Sequence, residues 1–110
     1  MIPARTALPA IVCAPWCLDG TGHSDAHYPE DQVCRGETSE VALSRRPLVE
    51  VHPDVWARDT VRLYLLRHAG AVMTTIEMYR GELGESVSLK VDEAEALGNA
   101  LLDAVRQARG

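Results

Sequence analysis

A chain of 110 residues has room for one hydrophobic core, and 46% apolar with 25% charged residues is the balance of a folded domain rather than a disordered segment. The net charge of −5 argues against a main role in gripping phosphate backbones, where affinity rests on clustered Lys and Arg. No run approaches the roughly 18 apolar residues of a membrane span, and the absence of Phe leaves the hydrophobic margin thin.

The N-terminal stretch carries a single basic residue, Arg5, and a short apolar run broken by Pro9, which makes a poor secretory signal. Val12 before Cys13 is too large for a lipoprotein cleavage site, so the expected compartment is the cytoplasm. Residues 7–13 read as an edge strand or a lead-in, since Pro9 keeps them off any central position. All three cysteines then fall within 13–34, together with His23 and His27. From Asp19 to Gly36 the chain is Gly, His, Asp, Pro and Glu with almost no large apolar side chain. A loop that long gains little from hydrophobic burial to offset its ordering entropy, so it needs another restraint.

Metal ligation supplies one. Cys13 and Cys17 are three residues apart, close enough for both sulfurs to reach one zinc ion, and His23, His27 and Cys34 are candidates for the two remaining places. The alternatives are a disulfide with one thiol left over, unrelated buried cysteines, and a Cys/His nucleophile pair for which nothing marks an oxyanion site. Trp16, between two candidate ligands, reads as a lid on the metal.

After Gly36 the pattern becomes strand-like. Ser39–Leu43, Leu48–Val51, Thr60–Arg67, Met73–Tyr79 and Ser86–Val91 are expected as antiparallel strands, separated by Arg45-Arg46-Pro47, Pro53-Asp54, His68-Ala69-Gly70 and 81–84. Within the third, Val61, Leu63 and Leu65 share one face and Arg62, Tyr64 and Leu66 the other, with one face expected to be buried. His52 and His68 read as surface or turn residues. An amphipathic helix is expected over 92–108, opened by Asp92 with Glu95 three residues on, and carrying Ala94, Leu97, Leu101, Ala104, Val105 and Ala108 on one face. Close packing against the sheet is the plain reason for Gly98 inside it. The fold class is thus α+β: one domain over 1–110, with a zinc-knot-like loop at 13–36, a small antiparallel sheet at 37–91 and one C-terminal helix.

Cys13-Ala-Pro-Trp16-Cys17, Cys34-Arg-Gly36 and the ending Val91-Asp-Glu-Ala-Glu-Ala-Leu97 resemble a small actinobacterial and actinophage domain of unknown function. That family has a Cys-Pro-x-Trp-Cys start, a nearby His, a later His-x-Gly, short strands and a final Leu/Asp-Glu-Ala helix. The resemblance places Cys34 where the family has His, which preserves ligand capability. It implies Cys13, Cys17, His23 and Cys34 as the ligand set, with His27 in reserve, and it brings no activity.

Four protein ligands would saturate zinc, so a structural Zn2+ and no catalysis is the expectation. The function this favours is a small zinc-stabilised binding or regulatory module, with a protein partner preferred by the acidic charge. Arg45, Arg46, Arg58, Arg62 and Arg67 form either a basic patch or a solvated face. Two other readings stay open: a degenerate zinc finger on nucleic acid, which lacks a basic recognition helix, and a zinc hydrolase using Asp19, Asp25 or Glu30 as base.

Overall fold

The computed structural model describes residues 8–45, 48–68, 73–81 and 85–110. The N-terminal residues before Leu8 fall outside them, as do residues 46–47, 69–72 and 82–84. A single turn of 3-10 helix at Pro29–Asp31 leads into β1 (Val33–Arg35), β2 (Ser39–Ala42), β3 (Val49–His52), β4 (Val55–Ala57), β5 (Thr60–His68), β6 (Thr75–Arg80) and β7 (Ser86–Lys90), followed by α1 (Val91–Arg109).

The alternating sequence of β5 makes it the spine of the main sheet. One of its edges pairs with β6, and β6 in turn pairs with β7, all antiparallel. The other edge takes two short strands end to end: β2 lies against Thr60–Leu63 and β1 against Leu66–His68. Between them Gly36 donates its N–H to the Leu65 carbonyl at 2.9 Å, so β1 and β2 behave as one strand interrupted at a kink. A Cβ at Gly36 would sit 3.3 Å from that of Leu65 and 3.4 Å from the Trp16 ring, which is why this crossing takes glycine. β3 and β4 form a separate hairpin turning at Pro53-Asp54, with Asp54 at φ 62°.

Five expected strands are present with boundaries shifted by a residue or two, and two were not foreseen. β4 is only three residues long, and β1 lies inside the stretch read as loop. Conversely, residues 8–13 form no strand; their backbone instead meets the Gly22–Ser24 segment, with Leu8 N–H to Ser24 O at 3.1 Å and Ile11 N–H to Gly22 O at 2.9 Å.

The helix departs furthest from expectation. It begins at Val91, directly after the last residue of β7, with Lys90 as its N-cap in extended backbone (φ −68°, ψ 159°). The Glu93 carboxylate accepts the Lys90 N–H at 2.8 Å, so the acid-at-plus-three pattern works two residues earlier than the Asp92 and Glu95 pairing. Arg106 and Arg109 lie in the last turn, where they complement the helix dipole. With no residues between strand and helix, α1 does not fold back over the sheet, and none of its residues is buried. Nothing lies within 4 Å of a Cβ placed on Gly98, which overturns close sheet packing as the reason for that glycine. The molecule is accordingly elongated, 67 × 40 × 18 Å.

The same junction undoes the expected burial of one sheet face. Register puts Val61, Leu63, Leu65, Ile76, Met78, Val87 and Leu89 on one side, the alternation read from the sequence, but Leu63 and Val87 are 37% and 43% exposed. The opposite face is polar and aromatic: Tyr64 and Tyr79 meet edge to face, the Arg35 guanidinium lies 5.1 Å from the Tyr64 ring centre, and Glu77 accepts from Thr75 at 2.9 Å and Ser88 at 2.8 Å. The buried positions lie elsewhere. Among the described residues, apart from Thr60, they are Ala14, Gly22, Gln32, Cys34 and Gly36, all in the cysteine-bearing segment.

Gly22 holds φ +85°, and a Cβ there would fall 2.8 Å from that of Ala10; Gly20 holds φ +65° with its nearest neighbour at 3.9 Å. Gly22→Ala is therefore expected to cost about 2 kcal/mol or more, from strain plus overlap, and Gly20→Ala only about 1 kcal/mol from strain. Thermal unfolding of the two variants tests this, and equal midpoints would contradict it.

Candidate metal centre

Four side chains from three pieces of backbone meet at one point. Cys13 and Cys17 flank a tight turn closed by the Cys17 N–H on the Ala14 carbonyl at 3.0 Å. His23 follows Gly22 and itself adopts φ 54°, a left-handed conformation that an L-residue takes up only at some cost. Cys34 sits in β1, opposite Arg67 of β5, and is wholly inaccessible. The three sulfurs and a His23 ring nitrogen all lie within 4.8 Å of one another. A tetrahedral zinc site with bonds of about 2.0 to 2.3 Å has edges of about 3.5 to 3.8 Å, so closing onto an ion needs movements of about 1 Å at most.

Several contacts hold these pieces in place. Buried Gln32 donates through its side-chain amide to the Pro9 carbonyl at 2.7 Å and the His23 carbonyl at 3.1 Å, tying the lead-in to the histidine turn. Leu18 N–H donates to Arg35 O at 3.0 Å, fastening the end of the cysteine turn to β1. Arg67 reaches from β5 to the Val12 carbonyl at 2.8 Å, next to Cys13. No side-chain nitrogen or oxygen is buried without a partner among the described residues. The body of the sheet thus grips the knot through β1 and the side chain of Arg67.

His23 is oriented for ligation. Its Nε2 lies 3.3 Å from the Cys17 sulfur, and its Nδ1 lies 3.2 Å from the Asp19 carboxylate. A carboxylate on the far nitrogen fixes the tautomer that leaves Nε2 free to bind and raises its basicity. Asp19, weighed in the sequence as a catalytic base, is therefore placed to position the histidine. Its i,i+4 spacing from His23 was the available signal, but only the turn geometry shows that the two side chains meet.

The thiols differ from one another. Desolvation pushes Cys17 up, but the Gly20 backbone, His23, Cys34 and the Asp19 backbone together outweigh it and bring its pKa down to about 6. Cys13 is held above the ordinary thiol value, chiefly by desolvation, which with Cys34 and Cys17 outweighs the lowering hydrogen bond from the Gly22 backbone. All three are free cysteines in this structure, without a disulfide.

His27, the reserve ligand, does not join the convergent group; it is exposed, with its ring centre 6.2 Å from that of Tyr28. Asp25 and Glu30 are also exposed and outside the group. Trp16 is half-buried, with its ring beside Gly36. Of the expected basic patch, Arg62 pairs with Glu40 at 2.9 Å and Arg67 is committed to Val12, while Arg46 lies outside the described residues. A shallow cleft of about 690 Å3 lies between the β3–β4 hairpin and the β5–β6–β7 end of the sheet, where Arg80 pairs with Asp59 at 2.6 Å.

The fold and this group of side chains define a small α+β domain whose sulfur and imidazole donors lie close enough to hold a metal ion. The chain belongs to the DUF6907 family, a domain of unknown function whose model matches residues 1–110. No curated protein and no solved structure matches it.

Two outcomes are expected. Asp19→Ala should lower zinc affinity about 10- to 100-fold at unchanged stoichiometry, measured by competition with a chromophoric chelator. Affinity should also fall on acidification and fall more steeply below about pH 6, because the Cys17 thiolate is favoured above that point and lost as pH drops through it. A flat profile from about pH 5 to 8 would refute the assignment of Cys17 as a ligand.

Proposed function

We propose that this protein is a non-enzymatic binding or regulatory module whose fold is held by one structural Zn2+ on Cys13, Cys17, His23 and Cys34. The observation carrying this is the convergence of three sulfurs and one imidazole within 4.8 Å, around a cysteine with no solvent access. Three thiolates with one imidazole is a donor set of structural zinc sites, and four protein ligands leave no coordination place for a reacting water. Asp19, the first of the candidate bases, is engaged with the imidazole of His23 at 3.2 Å. Free thiols suit a reducing compartment, which favours the cytoplasm.

A protein partner fits better than nucleic acid. The net charge is −5, the arginines flanking the sheet are engaged with Glu40, Asp59 and the Val12 carbonyl, and α1 opens with Asp92 and Glu93. Meanwhile the apolar sheet face leaves Val41, Leu63 and Val87 exposed, the kind of uncovered patch that marks a protein-binding surface.

Native mass spectrometry is expected to find one zinc per chain. Cys13→Ser, Cys17→Ser, Cys34→Ser and His23→Ala should each lose the metal and the cooperative unfolding transition, whereas His27→Ala should retain both. Metal-free protein that keeps a full transition after chelation, or a His27→Ala variant as damaged as His23→Ala, would rule out this four-ligand scheme.

A further inference from the structure

The surface least accounted for by the metal centre is the apolar side of α1. Nineteen residues long, about 28 Å at the usual rise, the helix leaves Leu97, Leu101, Leu102 and Val105 between 36% and 59% exposed. A helix of this length with a glycine inside it is marginal on its own in water. The direct β7-to-α1 junction, fixed by Glu93 on the Lys90 N–H, keeps it from using its own sheet as cover.

The helix sequence points to its occupant. Ala94, Leu97, Leu101, Ala104 and Ala108 follow alternating spacings of three and four, the pattern of a two-helix seam. The residues on and beside that seam are also nearly symmetric about Leu101. Reversing the helix against itself brings Ala94 opposite Ala108, Leu97 opposite Val105, Gly98 opposite Ala104, and Leu101 opposite its own copy. The same reversal sets Glu93 opposite Arg109. The first turn carries Asp92 and Glu93 and the last turn Arg106 and Arg109, so antiparallel copies place unlike charges together at both ends, whereas parallel copies would stack like on like. The open space at Gly98 lets the two backbones approach beside the Leu101 centre.

We propose that α1 is a homodimerisation helix, pairing antiparallel with α1 of a second copy about a two-fold axis at Leu101. The contact is isologous, since each helix supplies the same stripe. Being short, it makes an interface of the weak, concentration-dependent class.

Sedimentation equilibrium of the zinc-loaded full chain tests it. The wild type should approach twice the monomer mass at about 100 µM and dissociate on dilution. Leu101→Glu, which sets two carboxylates face to face on the axis, should weaken association at least about tenfold, while Asn99→Glu on the opposite side of the helix should leave it unchanged. Zinc content and β-sheet circular dichroism must be unaltered in both. A wild type that stays monomeric at about 100 µM, or an Asn99→Glu variant as weakened as Leu101→Glu, overturns the proposal. Orientation is read separately by oxidising mixed Ala94→Cys and Ala108→Cys proteins and mapping the joined peptides. A 94-to-108 link supports the antiparallel pair; a 94-to-94 link overturns it.

Discussion

Cys34 occupies the one position where the knot and the sheet are the same piece of chain. Its backbone is a strand residue hydrogen-bonded into the ladder with β5, and its sulfur faces those of Cys13 and Cys17. Other contacts hold the N-terminal segment around it. The cysteine turn is fastened to β1 at Arg35, the histidine turn is tied by Gln32, and Arg67 holds the lead-in from the neighbouring strand. Such a segment, poor in large apolar side chains, cannot be ordered by hydrophobic burial alone.

The distribution of burial follows from this. In most domains of this size the sheet face and the helix share a core; here, among the described residues, the buried positions other than Thr60 cluster between Ala14 and Gly36, while the sheet's apolar side is only half-covered and α1 has no buried residue. The polar sheet face is internally satisfied through Arg35, Tyr64, Tyr79 and Glu77, so it needs no cover. The apolar surfaces differ in that respect. They are the apolar parts that the folded chain leaves uncovered among its described residues, and the proposed partner and second copy would cover them.

Metal site and helix also divide the electrostatics between them. Depression of Cys17, from the turn's N–H groups and His23, makes one sulfur a ready ligand at neutral pH, while its desolvated neighbour Cys13 holds its proton more tightly. Asp19 supplies a negative group beside the imidazole, outside the sulfur cluster. The helix, by contrast, keeps acid at its start and base at its end, where each complements the dipole locally.

Much of this was legible in the residues alone. Residue type and short reach marked five donors, Cys13, Cys17, His23, His27 and Cys34, in one apolar-poor loop, and the family resemblance picked the four that converge. Period-two alternation in 60–68 and period-3.6 repetition in 94–108 gave strand and helix, since side-chain direction follows local backbone geometry. Local pattern could not choose between His23 and His27, which differ in whether the chain turns through a positive φ toward the sulfurs, nor could it reveal that Asp19 meets the imidazole. It also missed β1, whose three residues become a strand only by pairing with β5, and it put α1 on the sheet. That last decision belongs to the tertiary structure: an amphipathic pattern states that a face wants cover, but the length of the connection at Lys90 and Val91 determines which surface can provide it.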